Sequence, residues 1–243
     1  MLRSLRIIRR TLQIQAPFLE VALPALAESS LSLSPEKLSR LKSLQPIDRS
    51  FLYHSEVVVQ IALLVACEQE DEIALLAIQI LSLVADSPFF DVQQKFPDQS
   101  RSKLNRLVGL LQASPETVRI QEAFVQRLDE DIPESELDSP SVEEAKVGEE
   151  DSSALRRAIR SSILDLFLAN TQVNRSSPNI AHLLLGFDSK GRSEEMEIED
   201  PAAADTRRTS LHVILELLAQ NVSNDETEAS VRTSHVSTFL ANC

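Results

Sequence analysis

Apolar stretches of ten to twenty residues alternate along the chain with short polar or proline-containing connections. Within most stretches the apolar residues recur three and four positions apart, which is the pattern of amphipathic helices. No fixed-period repeat is visible, so tetratricopeptide, ankyrin and leucine-rich arrays are not indicated. The pattern predicts an all-α fold, namely an irregular HEAT-like α-solenoid of antiparallel helix pairs with acidic disordered loops.

The two most hydrophobic stretches, 57–67 and 73–85, are apolar nearly all round and are separated by five polar, mostly acidic residues. Each is shorter than the ~20 residues that a bilayer span requires. We therefore expect an antiparallel helical hairpin buried at the centre of the N-terminal half of the chain. Further helices are expected from Ser34, over Leu104–Leu111, and after Ser114.

The most informative stretch runs from Ser177 to Asp188. Ser177 is expected to cap a helix that opens with Pro178 and ends at Gly186, which supplies a left-handed residue. A helix of barely two turns does not hold alone in water, so its apolar face needs a cover. The residues expected to form this structural motif are Pro178, Asn179, Ile180, His182, Leu183, Leu184, Gly186 and Phe187.

Two apolar stripes on either side of the motif are the expected covers. Both follow helical spacing. The upstream stripe consists of Leu155, Ile159, Ile163, Leu166 and Phe167. The downstream stripe consists of Leu211, Ile214, Leu215, Leu218 and Val222. The sequence thus predicts that the short helix is sandwiched between the helices 153–169 and 209–222.

This order of helix, Pro-Asn-Ile-Ala-His-Leu-Leu-Leu-Gly-Phe-Asp, acidic loop and Ser210–Leu218 resembles the middle of the largest inner-ring scaffold nucleoporin family of the nuclear pore complex. The resemblance covers roughly residues 152–218, and residues 1–131 are compatible with it. It implies an α-solenoid at the nuclear envelope that binds other inner-ring and linker nucleoporins and supports nucleocytoplasmic transport. Because that family is far longer, we expect this chain to be an internal piece or a truncated gene model.

The formal charge of −13 is concentrated in two segments. Residues 129–151 and 188–205 together hold 18 of the 37 acids but only 3 of the 24 Lys and Arg residues, which leaves a formal +2 elsewhere. Neither an acidic docking surface nor a nucleic-acid patch follows from the total. We divide the chain into an N-terminal helical region, residues 1–130, a flexible acidic linker, residues 131–151, and a second helical region, residues 152–243, with an acidic loop at 188–208.

Motifs for catalysis, metals and cofactors are not indicated. Cys67 and Cys243 have no paired spacing, and the four histidines show no metal-binding spacing among themselves, although His182 and His212 could meet across neighbouring helices. A packed or capping histidine explains each more simply. The prediction is a non-enzymatic protein without a cofactor, a small-molecule substrate, a transmembrane segment or a nucleic-acid partner. Arg156, Arg157 and Arg160 are expected to pair with the acids of 143–151.

The N-terminus supports an alternative. Arg3, Arg6, Arg9 and Arg10 precede the first acid, Glu20, and alternate with apolar residues, as in a mitochondrial presequence. A solenoid helix with an exposed arginine face gives the same pattern. A mitochondrial helical protein is therefore the second hypothesis, and an unrecognised enzyme is the third.

Overall fold

The computed structural model describes residues 1–29, 43–93, 103–130, 149–172, 178–187 and 207–220, together with residues 36, 39 and 175. The acidic linker and the acidic loop fall largely outside the described residues. So does most of the helix expected from Ser34. The predicted division of the chain at 131–151 therefore stays a prediction.

Helices make up most of the described chain, which confirms the predicted fold class. A π-helical turn at Phe18–Ala22 and a 3₁₀ turn at Leu64–Ala66 interrupt them. In chain order the helices are α1 Leu2–Pro17, α2 Leu23–Ser29, α3 Ile47–Tyr53, α4 Ser55–Leu63, α5 Asp71–Ala85, α6 Arg106–Ala113, α7 Thr117–Asp129, α8 Glu149–Asn170, α9 Ile180–Leu185 and α10 at 210–220.

One short strand pair was not anticipated. The strands β1, Asp91–Gln93, and β2, Lys103–Asn105, pair antiparallel, with Val92 opposite Leu104. Leu104 was expected in a helix, but α6 begins only after Asn105, whose side chain accepts a hydrogen bond from the Leu107 amide at 3.0 Å. This N-cap ends the extended segment and fixes the start of the helix.

Helix α5 lies at the centre of the fold because nearly all of its side chains are apolar. It packs against α4 to form the predicted hairpin, and α1 and α8 cover it from other sides. The stripe Ile159, Ile163, Leu166 and Phe167 of α8 is buried as expected. Helices from both predicted helical regions thus contribute to one hydrophobic core.

Helix α1 is an integral element of this core. Leu5 and Leu12 are buried against α5, the Arg6 guanidinium pairs with Glu72, and Arg9 donates to Gln79 at 2.6 Å. Prolines explain where α1 ends: Pro17 lacks the amide that would continue the α-helical ladder, and the π-helical turn follows it directly. The arginine pattern that suggested a presequence is accounted for by a packed helix.

Candidate binding surface

Helix α9 is the predicted short motif helix, but it begins later than expected. Asn179 rather than Ser177 is the N-cap: its Oδ1 accepts a hydrogen bond from the Ala181 amide at 3.0 Å, and its own amide donates to His182 Nδ1 at 3.4 Å. Asn179 also donates to the Asn170 carbonyl at 2.5 Å, which ties the start of α9 to the end of α8. Pro178 consequently lies outside the helix.

Gly186 ends α9 as predicted. Its φ is +96°, and a Cβ there would lie 2.5 Å from Thr209 Cγ2, so both conformation and space require glycine. The Phe187 amide donates to the His182 carbonyl at 2.9 Å, and the two rings lie 6.1 Å apart, so Phe187 folds back over the last turn of α9.

The apolar face of α9 is buried through Ile180, Ala181, Leu183 and Leu184. Helix α8 covers part of it, as expected, but α6 and α7 pack against it as well. The side chain of Gln121 on α7 donates to the Leu183 carbonyl at 2.7 Å. The short helix is therefore held within three longer helices of the core.

The predicted inward stripe of α10 is only partly correct: Ile214 packs against the core, but two of the predicted leucines do not. Leu215 and Leu218 are 54% and 56% exposed, and Leu211 is half-buried, whereas His212 and Val213 are buried. Apolar residues occur all round this helix, so periodicity alone does not choose its inward face. Val222 lies outside the described residues.

An arginine joins the start of α10 to the end of α7. Arg208 binds both carboxylate oxygens of Asp129 at the end of α7, at 2.5 and 2.8 Å, and also contacts Glu216 at 2.5 Å. These two acids raise the pKa of Arg208, which stays charged. These ion pairs, the Arg208 clamp, lie at the start of α10. The helix packs Val213, Ile214 and Leu217 towards the core and leaves Leu215 and Leu218 exposed.

The two central histidines both act as helix caps. His182 Nδ1 accepts from the Asn179 amide at 3.4 Å, and His212 Nδ1 accepts from the Thr209 amide at 3.0 Å. A ring nitrogen that accepts an amide proton belongs to a neutral imidazole. Burial lowers the pKa of His182, which favours that neutral form. Within the described residues, no three His, Cys, Asp or Glu side chains come close enough to hold a metal ion.

An open groove of about 440 Å³ runs beside the end of α9. Arg207 borders it, donating to the Val118 carbonyl and to Gln121 Oε1, the latter at 3.1 Å. The lining mixes polar and apolar groups. It is formed by Gln112, Ser114, Pro115, Thr117, Val118, Gln121, Leu183, Gly186 and Phe187.

Arg127 is a key residue that the sequence analysis missed. It is only 3% exposed and donates to the carbonyls of Val65 and Cys67 and to the carboxylates of Asp71 and Glu130. One guanidinium thus joins the loop of the α4–α5 hairpin to the end of α7. A signal was present, because Arg127 stands seven residues after the buried Ile120 and therefore on the inward side of α7.

Arg156 of α8 pairs with acids of other helices, and the acids of 143–151 with which pairing was predicted lie largely outside the described residues. Arg156 lies 3.7 Å from Asp71 and 3.9 Å from Glu130, and Arg160 donates to the Glu130 carbonyl. Asp71 and Glu130 are brought close by the packing of α5 and α7 on α8, which sequence distance does not reveal. Internal charge pairing, the predicted role, is observed for Arg156, whereas Arg160 donates to a backbone carbonyl.

Stacked helices around a continuous core, with an open groove and apolar side chains on the outer face of α10, define an all-α, solenoid-like protein. Comparison with known families identifies it further. The family model of the nuclear pore complex scaffold nucleoporins 186/192/205 (Nup192) matches residues 1–242, and the chain belongs to this family. No curated protein matches it.

Membership sets the cellular context. The family is a component of the nuclear pore complex at the nuclear envelope, and the mitochondrial hypothesis has no support. Across the described residues of the chain, every helix is too short or too polar for a membrane crossing.

Proposed function

We propose that this chain acts as a scaffold segment of the inner ring of the nuclear pore complex, binds other inner-ring and linker nucleoporins through its solenoid surfaces, and so supports nucleocytoplasmic transport. The family match over residues 1–242 carries the proposal. The mechanism is geometric: packed helices hold partner proteins at fixed positions, and no covalent bond is made or broken. In this proposal the chain is not an enzyme and binds no cofactor, small-molecule substrate or nucleic acid.

The outer side of α10 supports this role. Leu215 and Leu218 present apolar side chains to solvent one turn apart, while the Arg208 clamp holds the helix against Asp129. Burying such side chains against a partner contributes roughly 25 cal/mol per Å² of apolar surface. Arg207, which borders the groove, leads directly into this helix, so the two features belong to the same region of the chain.

Affinity purification tests the proposal. The tagged chain, expressed in cells, is expected to recover other nucleoporins. The double variant Leu215→Ser, Leu218→Ser is expected to recover them less well, because it removes apolar surface without altering the core. Tyr53→Ser, which changes a side chain on α3 that is 72% exposed, is the control. Recovery of no nucleoporin by the wild-type chain would contradict the proposed function.

A further inference from the structure

Helix α1 carries apolar residues on two opposite sides. Leu5 and Leu12, seven residues apart, are buried against α5. Ile7 and Ile14, also seven apart, are 66% and 45% exposed. Since successive residues of a helix turn by ~100°, an offset of two positions places the two stripes on nearly opposite sides. The exposed side continues into the π-helical turn, where Val21 is 69% exposed.

Two arginines lie within the exposed stripe. Arg3, Ile7, Arg10 and Ile14 follow one another at intervals of four, three and four residues, the spacing of a coiled-coil seam. Arg3 and Arg10 are exposed, and no ion pair joins either of them to another described residue. We call these four residues the outer stripe.

The covered side of α1 shows how this helix binds a neighbour. There, Leu5 and Leu12 are buried while Arg6 pairs with Glu72 of α5. Apolar contact and an arginine–carboxylate pair thus operate together across one helix–helix interface. The outer stripe repeats the same chemistry on the opposite side, with isoleucine in place of leucine.

We propose that the outer stripe docks an amphipathic helix of another protein that carries carboxylates within its apolar seam. The apolar side chains of that helix cover Ile7 and Ile14, and its carboxylates bind Arg3 and Arg10, which selects acidic partners. The exposed side from Arg3 to Val21 is roughly 27 Å long at 1.5 Å per residue, enough to contact about 18 residues of a partner helix, or about two and a half heptads. This docking surface rests on the proposed scaffold function and gives it a partner chemistry.

Charge and spacing favour this occupant over two others. A lipid surface suits a wide apolar face with basic residues on its polar side, whereas these arginines lie inside a narrow seam. A second copy of the chain would bring like-charged arginines towards each other, which is unfavourable. A helix with seam carboxylates satisfies both the apolar and the charged members of the stripe.

Peptide binding to the full chain tests the docking surface. The probes are two synthetic helical peptides of 21 residues, both with leucine at position a of each heptad. At position d, one peptide carries glutamate and the other carries lysine. Fluorescence anisotropy is expected to show binding of the glutamate peptide that weakens with salt. The lysine peptide is expected to bind at least about tenfold more weakly, a difference of ~1.4 kcal/mol.

Variants assign the binding to the outer stripe. The double variant Ile7→Ser, Ile14→Ser should no longer bind the glutamate peptide. The double variant Arg3→Glu, Arg10→Glu should not bind the glutamate peptide either, but it should bind the lysine peptide. Leu168→Ser and Arg49→Glu, at exposed positions elsewhere, are the matched controls and should bind like wild type. Circular dichroism and urea midpoints confirm that each variant is folded.

Four results would overturn the proposal: equal binding of the two peptides, binding that neither stripe variant changes, stripe-dependent binding only to vesicles containing phosphatidylserine, or stripe-dependent self-association without peptide binding. The wild-type comparison of the two peptides remains decisive even if a variant fails to fold. Recovery of nucleoporins by a chain that binds neither peptide would remove the docking surface and leave the scaffold function standing.

Discussion

Replacing Arg127 by methionine should destabilise the fold strongly. Methionine occupies a similar volume, so the main loss is electrostatic: two carbonyls lose a donor, and the carboxylates of Asp71 and Glu130, 14% and 22% exposed, lose their nearest cation. Removing one partner of a buried ion pair typically costs ~3–5 kcal/mol. Arg156 remains within 4 Å of both carboxylates, so we expect the lower end of that range.

Urea denaturation followed by circular dichroism measures this cost as a lower midpoint at unchanged slope. Arg119→Met is the matched control on the same helix, because Arg119 pairs with Glu116 at 2.7 Å but is 69% exposed. It should cost less than ~1 kcal/mol. Adding Asp71→Asn and Glu130→Gln to Arg127→Met should recover some of the loss, since the uncompensated charges disappear.

This reasoning would be refuted if Arg127→Met lowered the free energy of unfolding no more than Arg119→Met does. It would also be refuted if neutralising Asp71 and Glu130 destabilised the Arg127→Met variant further, because the unpaired carboxylate charges would then not cause the destabilisation. Either result would mean that the hairpin loop and the end of α7 are held by apolar packing alone.

Three further predictions concern the region around α9. Leu184→Ala removes methyl groups from a side chain that is 1% exposed and should cost ~2–5 kcal/mol, whereas Leu218→Ala on the outside of α10 should stay within ~0.5 kcal/mol; urea midpoints compare them. Gly186→Ala should lower the thermal midpoint, because alanine is strained at φ +96° and its Cβ would meet Thr209; a midpoint equal to wild type would contradict that geometry. Burial lowers the pKa of His182, so below about pH 6.5 the unfolded chain binds more protons than the folded one, and stability should fall as pH falls. His182→Gln should show a shallower fall over pH 7.5 to 5.5, and an identical profile would count against the capping role.

Elements with a single apolar face were predictable from the sequence. The buried stripe of α8 and the face of α9 follow spacing that only one orientation satisfies. The hairpin of α4 and α5 was predictable for a different reason, because helices that are apolar nearly all round must be buried. Gly186 was also predictable, because an apolar helical run ending at a glycine indicates a left-handed cap.

Where local sequence rules allow two helix starts or two inward faces, contacts between residues distant in sequence determine which one forms. Both Ser177 and Asn179 are good capping residues, and the bond from Asn179 to the Asn170 carbonyl favours the later start. Helix α10 has apolar residues on every side, and the packing of Val213 against the core decides which side faces inward. Contacts such as the one between Arg208 and Asp129 join residues tens of positions apart, so periodicity does not contain them.

The most direct test of the scaffold account is the position of the chain in the cell. A fluorescent fusion of residues 1–243, imaged together with a nuclear pore marker, should form a punctate nuclear rim that coincides with the marker. The fusion carrying Leu215→Ser and Leu218→Ser should show a weaker rim at equal expression. A wild-type fusion that fills a mitochondrial network, or that spreads evenly without marking the rim, would contradict the account.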